Sequence, residues 1–171
     1  MNGIEIKKIS ITQLSTDAIV NAANEGLRAG GGVCGAIFRE AGVERLSMAC
    51  RTIGGCKTGH AVITDGFDLP AKYIIHAVGP IWNGGKMGEP KLLYSAYESS
   101  LNVAMDNGLH SIAFPLISAG IYGYPLRGAW EQAISACSDF ISEHPNYEIN
   151  IIFAVLDDAI LNEGIEILKR C

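Results

Sequence analysis

Basic side chains are scarce in this chain, with 13 Lys and Arg against 18 Asp and Glu and a formal charge of −5. Broad attraction to nucleic acid or to an anionic membrane needs clustered Lys and Arg, so neither partner is expected, and any bound phosphate must be met by backbone amides. No apolar run approaches the ~18 residues that a membrane span requires. The chain begins with Met1, as a natural start would, and no secretory segment is read at the amino end. No Cys-x-x-Cys pair occurs; the five cysteines, Cys34, Cys50, Cys56, Cys137 and Cys171, are odd in number and scattered, which reads as reduced thiols in a cytoplasmic protein. Cys50 and Cys56 have His60 close by, but five residues lie between the two thiols, unlike the tight ligand pairs of structural zinc sites, so no metal is expected. No Gly-Lys-Ser or Gly-Lys-Thr follows any glycine run, which excludes a Walker A loop.

What the chain does have is apolar content, 49% of 171 residues, enough to bury one sizeable core and too short a length to call for a second domain. A single domain over residues 1–171 is therefore expected. Short apolar or β-branched runs at Ile4–Ile9, Ala18–Val20, Ala61–Thr64, Tyr73–Val78, Ser111–Phe114 and Ile149–Val155 read as strands covered on both faces. Helical periodicity fills the gaps: Val33, Ile37 and Ala41; Leu93, Tyr97, Leu101 and Ala104 before an Asn107-Gly108 stop; Trp130, Ile134, Cys137 and Ile141; and Leu161, Ile165 and Leu168 after a capping Asp157-Asp158. Strands alternating with helices give an α/β class with a mostly parallel or mixed sheet between helices and ligand loops at the strands' carboxyl ends. Gly84, Gly85 and Gly88 mark a surface loop.

Two glycine-bearing loops carry the functional signal. Asn21-Ala22-Ala23-Asn24 leads into Gly30-Gly31-Gly32-Val33-Cys34-Gly35, and Ser118-Ala119-Gly120-Ile121-Tyr122-Gly123 lies much later. Each sits between a strand-like run and a helical pattern, where backbone N–H groups hold phosphates. Gly30 to Gly35 satisfies Gly-x-Gly-x-x-Gly, but about ten residues separate it from the strand ending at Val20, and no acidic residue stands about twenty positions beyond, so a Rossmann dinucleotide site is disfavoured. The plain alternative, a flexible turn, is weakened by the helix that starts at Val33 and points its free N–H groups back into the loop. The expected ligand is a nucleotide-like diphosphate gripped by both loops without a lysine. The amides of Asn21 and Asn24 can bind sugar hydroxyls, or they can close Asx turns; spacing leaves both open.

These segments, together with Thr58-Gly59-His60-Ala61-Val62-Ile63-Thr64, the run from Leu69-Pro70 through His76-Ala77-Val78-Gly79-Pro80, and Ala113-Phe114-Pro115-Leu116-Ile117, resemble the macrodomain family, most closely its MacroD-type branch, over essentially the whole chain. The resemblance implies a three-layer α/β/α domain that binds ADP-ribose and hydrolyses ADP-ribosyl esters on Asp or Glu side chains, or O-acetyl-ADP-ribose. The implied partner is ADP-ribose or an ADP-ribosylated protein or metabolite, with no metal or redox cofactor. It implies that Ala22 and Asn24, with Asn21 nearby, meet the distal ribose. Gly30, Gly31, Gly32 and Val33 form the first diphosphate loop, and Ser118, Ala119, Gly120, Ile121, Tyr122 and Gly123 the second. A water held near the α-phosphate and distal ribose then attacks, so catalysis is by positioning, with Asn24, Cys34 and Tyr122 closest to the chemistry.

Three positions depart from the family's pattern. Cys34 stands where Asp is usual, and a thiol is a weak hydrogen-bond partner without charge near neutral pH; viral macrodomains that resemble the pattern with a small apolar residue there still hydrolyse. Ser10, before Ile11-Thr12, replaces an Asp that accepts from the adenine amine. Leu156 replaces an aromatic that stacks on adenine. Two functions stay open, an ADP-ribosyl hydrolase and a non-catalytic reader of ADP-ribose, with a dinucleotide oxidoreductase behind them. Cys34 as a nucleophile at a helix N-terminus has no evident His or Asp partner in sequence. His76, inside an apolar strand, reads as a structural histidine, Tyr122 as a lid over the diphosphate, and Trp82 as either core, rim or a partner contact.

Overall fold

The computed structural model describes residues 3–171; Met1 and Asn2, the first residues of the expected 1–171 unit, lie outside the described residues. Six strands alternate with five helices: β1 (Ile4–Lys8), β2 (Ala18–Ala22), α1 (Gly32–Ala41), α2 (Val43–Ile53), β3 (Ala61–Asp65), β4 (Tyr73–Ala77), α3 (Glu89–Asp106), β5 (Ser111–Phe114), α4 (Leu126–Glu143), β6 (Asn150–Val155) and α5 (Asp158–Lys169), with a 3-10 turn at Ile11–Gln13. The strands form one sheet in the order β1-β6-β5-β2-β4-β3. Every neighbouring pair is parallel except β3 with β4. The expected mixed α/β/α sandwich is what the chain adopts.

Its three layers follow from the two-residue period of a strand. On one face Ala18, Val20, Ile75, Ala77, Ile112, Phe114, Ile151 and Phe153 pack against Leu93, Tyr97 and Leu101 of α3, Trp130, Ile134 and Phe140 of α4, and Ile167 of α5. On the other face Ile19, Ile74, Ala113 and Ala154 pack against Ile37, Phe38 and Ala41 of α1 and Leu46 and Cys50 of α2. Sheet neighbours β2 and β5 therefore send their chains to opposite faces, β2 to α1 and β5 to α4, which opens a crevice at the strands' carboxyl ends.

Helix α2 went unread in the sequence because Gly42 conceals a break. At φ 109° this glycine both closes α1, its N–H bonded to Phe38 O, and opens α2. Only Leu46 and Cys50 of α2 are buried, too sparse a stripe to stand out. The Asn107 stop is present as expected, with Gly108 at φ 68°, and Asp157 caps α5 by accepting from the Ile160 N–H at 3.0 Å. No helix among the described residues is long and apolar enough to cross a membrane.

The core centres on Trp130, fully buried, its ring 5.1 Å from Phe153 and its Nε1–H donated to Ile160 O at 2.9 Å. Gly164 of α5 lies against that indole: a Cβ there would stand 2.6 Å from Trp130 Cε2 and Cζ2. Helix propensity alone favours Ala over Gly by about 0.5–1 kcal/mol, whereas overpacking costs about 1–3 kcal/mol. Gly164→Ala is therefore expected to lower the thermal midpoint by several degrees; a rise on calorimetric melting would mean that α5 slides aside freely.

Candidate functional site

The first loop leaves β2 and is tied into a ring by Asn24. Its Oδ1 accepts from Arg28 N and its Nδ2 donates to Arg28 O, each at 2.9 Å, so the side chain imitates a strand partner for the backbone. Cys34 Sγ donates weakly to the same carbonyl at 3.6 Å. The loop then folds onto α1: a Cβ on Gly35 would sit 2.5 Å from Gly30 O, which is why that position has no side chain. Gly31 is the N-cap of α1 and provides no side-chain cap, so the first N–H groups of the helix face outward without internal partners. With the helix dipole behind them they form a floor whose chemistry suits an anion.

The second loop leaves β5 at Pro115. Buried Tyr97 of α3 anchors its start, donating to Pro115 O at 3.2 Å and accepting from Ile117 N at 2.8 Å. Ser118 turns the chain with φ 66°, a left-handed conformation costly for a residue with a Cβ. Its Oγ donates to Pro80 O at 2.8 Å and its carbonyl accepts from Tyr124 N at 2.9 Å. Ile121, 90% exposed, reaches across the crevice, its Cδ1 3.9 Å from where a Cβ of Gly31 would be. The two glycine loops thus face each other.

Between them lies a cleft of about 610 Å3. It is lined by Ser10, Ile11, Ala22, Asn24, Gly30, Gly31, Gly32, Val33 and Cys34, by Ser118, Ala119, Gly120, Ile121 and Tyr122, and by Leu156. Fifteen of the seventeen residues expected at the site are therefore brought together along this one lining. Gly123 is not on it, although it shapes the turn at φ 73°. Asn21 is the other exception: it is 1% exposed and lies behind the wall. The lining also includes Thr12, Gly79, Pro115, Ile117, Asp157 and Ile160, which were not read as site residues. Gly79 had a signal in the Val78-Gly79-Pro80 segment; a Cβ there would collide with Ser118 Oγ and Ile117 Cγ2. Asp157 is the only charged residue in the lining among the described residues, and its carboxylate is spent on capping α5.

Asn21 makes no Asx turn, and its side chain is engaged with His76 away from the cleft lining. Parallel pairing of β2 with β4 sets it opposite His76, whose Nδ1 accepts from Asn21 Nδ2 at 3.1 Å while Nε2–H donates to Thr64 Oγ1 at 2.9 Å; the directions follow if Asn21 presents its amino group. Asn21 Oδ1 has no partner in this arrangement. His76 is fully buried, as a structural histidine should be, and burial pushes its pKa down to about 4. Cys34 is 7% exposed, and burial pushes its thiol up, against smaller opposing contributions from Asn21 and the Gly30 backbone. A thiol so placed stays protonated near neutral pH, which removes the thiolate that a nucleophilic role needs. Among the described residues no group of three or more His, Cys, Asp or Glu side chains could hold a metal ion.

Because His76 is neutral when folded and binds a proton more readily when unfolded, the unfolded chain holds more protons between pH 6.5 and about 4. Stability is fully present above that window and falls as pH drops through it, by roughly 3 kcal/mol at most. Denaturant titrations at pH 7 and pH 4.5 are expected to differ less in a His76→Gln protein than in the wild type. Equal differences would mean that the ring is protonated in the fold.

The family model of the macro domain matches residues 20–133. An O-acetyl-ADP-ribose deacetylase of Citrobacter rodentium is 53% identical over 152 residues, spanning 86% of this chain and 85% of that protein. A macro domain-containing protein of Chlorobaculum tepidum is 49% identical over 155 residues, 91% of this chain and 89% of its own length. Among solved structures, the Oceanobacillus iheyensis macrodomain with ADP superposes with a TM-score of 0.92 at 38% identity, covering 98% of this chain and 90% of that one. The Trypanosoma brucei macrodomain in complex with ADP-ribose does so at 0.90 and 38%, covering 97% and 69%. With two glycine loops facing each other across a topological switch point, and with these matches along its length, the chain belongs to the macro domain family.

Proposed function

We propose that this chain, acting as one macrodomain over residues 1–171, binds ADP-ribose in the cleft and hydrolyses ADP-ribosyl esters, either O-acetyl-ADP-ribose or mono-ADP-ribosyl groups on Asp and Glu side chains. The observation that carries this reading is the uncharged floor: helix α1 begins at Gly32 without a side-chain cap, under a facing loop with Ser118, Gly120 and Ile121 on the same cleft. A diphosphate fits there because its charge meets free N–H groups and a helix dipole without any lysine. In this reading the adenine lies near Ser10, Ile11 and Leu156, and the distal ribose near Ala22, Asn24 and Cys34. The relatives at about half identity that are named O-acetyl-ADP-ribose deacetylases support the ester chemistry.

Catalysis would then rest on placement. The substrate's own phosphate orients a water toward the ester or the anomeric carbon, while backbone dipoles fixed by α1 and the second loop stabilise developing charge. Asn24 holds the first loop closed through Arg28, and Tyr122, half-buried on the lining, covers the bound group. A second reading, a reader that binds without turnover, is favoured by Cys34: a protonated, largely buried thiol engaged with Arg28 O cannot take a proton from water as a carboxylate does.

Release of free ADP-ribose from a glutamate-linked mono-ADP-ribosylated protein, and of acetate from O-acetyl-ADP-ribose, tests both readings. Wild-type turnover that is lost in Asn24→Ala is expected, with Cys34→Asp faster by about ten-fold or more. A silent wild type that still binds ADP-ribose in calorimetry would establish the reader. Leu156→Phe is expected to tighten ADP-ribose binding by about three- to ten-fold by restoring a stacking face; an unchanged Kd would place adenine elsewhere.

A further inference from the structure

The loop between β4 and α3 is a surface loop, as its glycines indicate, but it is not a slack one. Glu89, the first residue of α3, is 2% exposed. Its Oε2 accepts from Asn83 N at 2.7 Å and Gly85 N at 3.0 Å, and its Oε1 accepts from Met87 N at 2.6 Å. Burial by itself would raise this carboxyl's pKa; the surrounding backbone N–H groups more than offset it and hold the pKa below the usual value. The group is therefore ionised at neutral pH, and each contact is a charge-assisted hydrogen bond. A buried carboxylate wrapped by three amides is an expensive device for a loop that does nothing.

What the wrapped loop does is hold Trp82. Gly85, at φ 87°, folds back onto the indole, where a Cβ would lie 2.7 Å from the ring. The indole also meets Tyr124, with ring centroids 4.6 Å apart and the planes tilted. Trp82 N donates to Tyr122 O at 2.8 Å, and two residues earlier Pro80 O accepts from Ser118 Oγ at 2.8 Å. The segment 80–82 thus fastens the second cleft loop at both ends, at Ser118 and at Tyr122.

We propose that Glu89 is a positioning residue for the cleft: its carboxylate sets the 83–87 loop, the loop sets Trp82, and Trp82 fixes the arc 118–124 that closes on the ligand. It touches no ligand itself. The proposal rests on the reading that this cleft binds ADP-ribose for its effect on affinity, but its structural half does not.

Glu89→Gln keeps the shape of the side chain but has only one oxygen for three N–H donors. Two measurements are paired. Amide hydrogen exchange without ligand is expected to speed up at 118–124 as well as at 83–87; acceleration confined to 83–87 would overturn the proposal whatever the cleft binds. Calorimetry is expected to give about ten-fold weaker ADP-ribose binding in Glu89→Gln, with Glu89→Asp between it and the wild type. Phe140→Leu, which thins the core near the C-terminal end of α4 and off the cleft lining, serves as the stability control and should keep wild-type affinity. Equal weakening in Glu89→Gln and Phe140→Leu would reduce Glu89 to general stability and sink the proposal. Exchange that spreads to 118–124 in a protein whose wild type does not bind ADP-ribose would uphold the positioning role and overturn the binding reading instead.

Discussion

The divergence of β2 and β5 governs the molecule. These two strands are hydrogen-bonded neighbours in the middle of the sheet, yet the chain leaves one toward α1 and the other toward α4 on the opposite face. Two connections that part from a shared edge cannot cover the ground between them, and the gap becomes the cleft. Everything at the site is a response to that gap. The first loop must return onto α1, which requires the bare Gly35 beside Gly30 O. The second must turn sharply, which requires Ser118 in a left-handed conformation held by Pro80 and Tyr124.

The two faces of the sheet carry different kinds of order. The face under α3 and α4 is aromatic and apolar, with Tyr97, Phe114 and Phe153 in mutual ring contact and Trp130 set against Phe153. The face under α1 and α2 includes the buried polar row Asn21, His76 and Thr64. Buried polar groups are tolerated when hydrogen-bonded, and here three adjacent strands each contribute one member, with Asn21 Oδ1 left without a partner. The row sits behind the floor of the cleft, joining strands β2, β4 and β3 through side chains as well as through the backbone.

Much of this was legible in the sequence because its signals are local. All six strands fell within a residue or two of the apolar runs, and the two loops announced themselves by glycine spacing beside a helical pattern. What stayed hidden depends on contacts distant in the chain. Asn21 was expected near sugar because it neighbours Asn24, but strand alternation turns it toward His76, a partner 55 residues away. The role of the glycines at 84 and 85 was invisible until Glu89 came back to meet the amides around them. Helix α2 hid behind Gly42, since a single glycine at a sharp break reads like any other turn.

The floor of the cleft is made of peptide groups, and that has a consequence for substitution. A side chain can be exchanged by one substitution, whereas an N–H at the start of α1 persists under nearly any residue that keeps the backbone in place. Ser10, Cys34 and Leu156 all lie on the lining without contributing to that floor through their side chains. Substitution at such positions leaves that row of N–H groups in place, so the proposed grip on a diphosphate does not depend on their side chains.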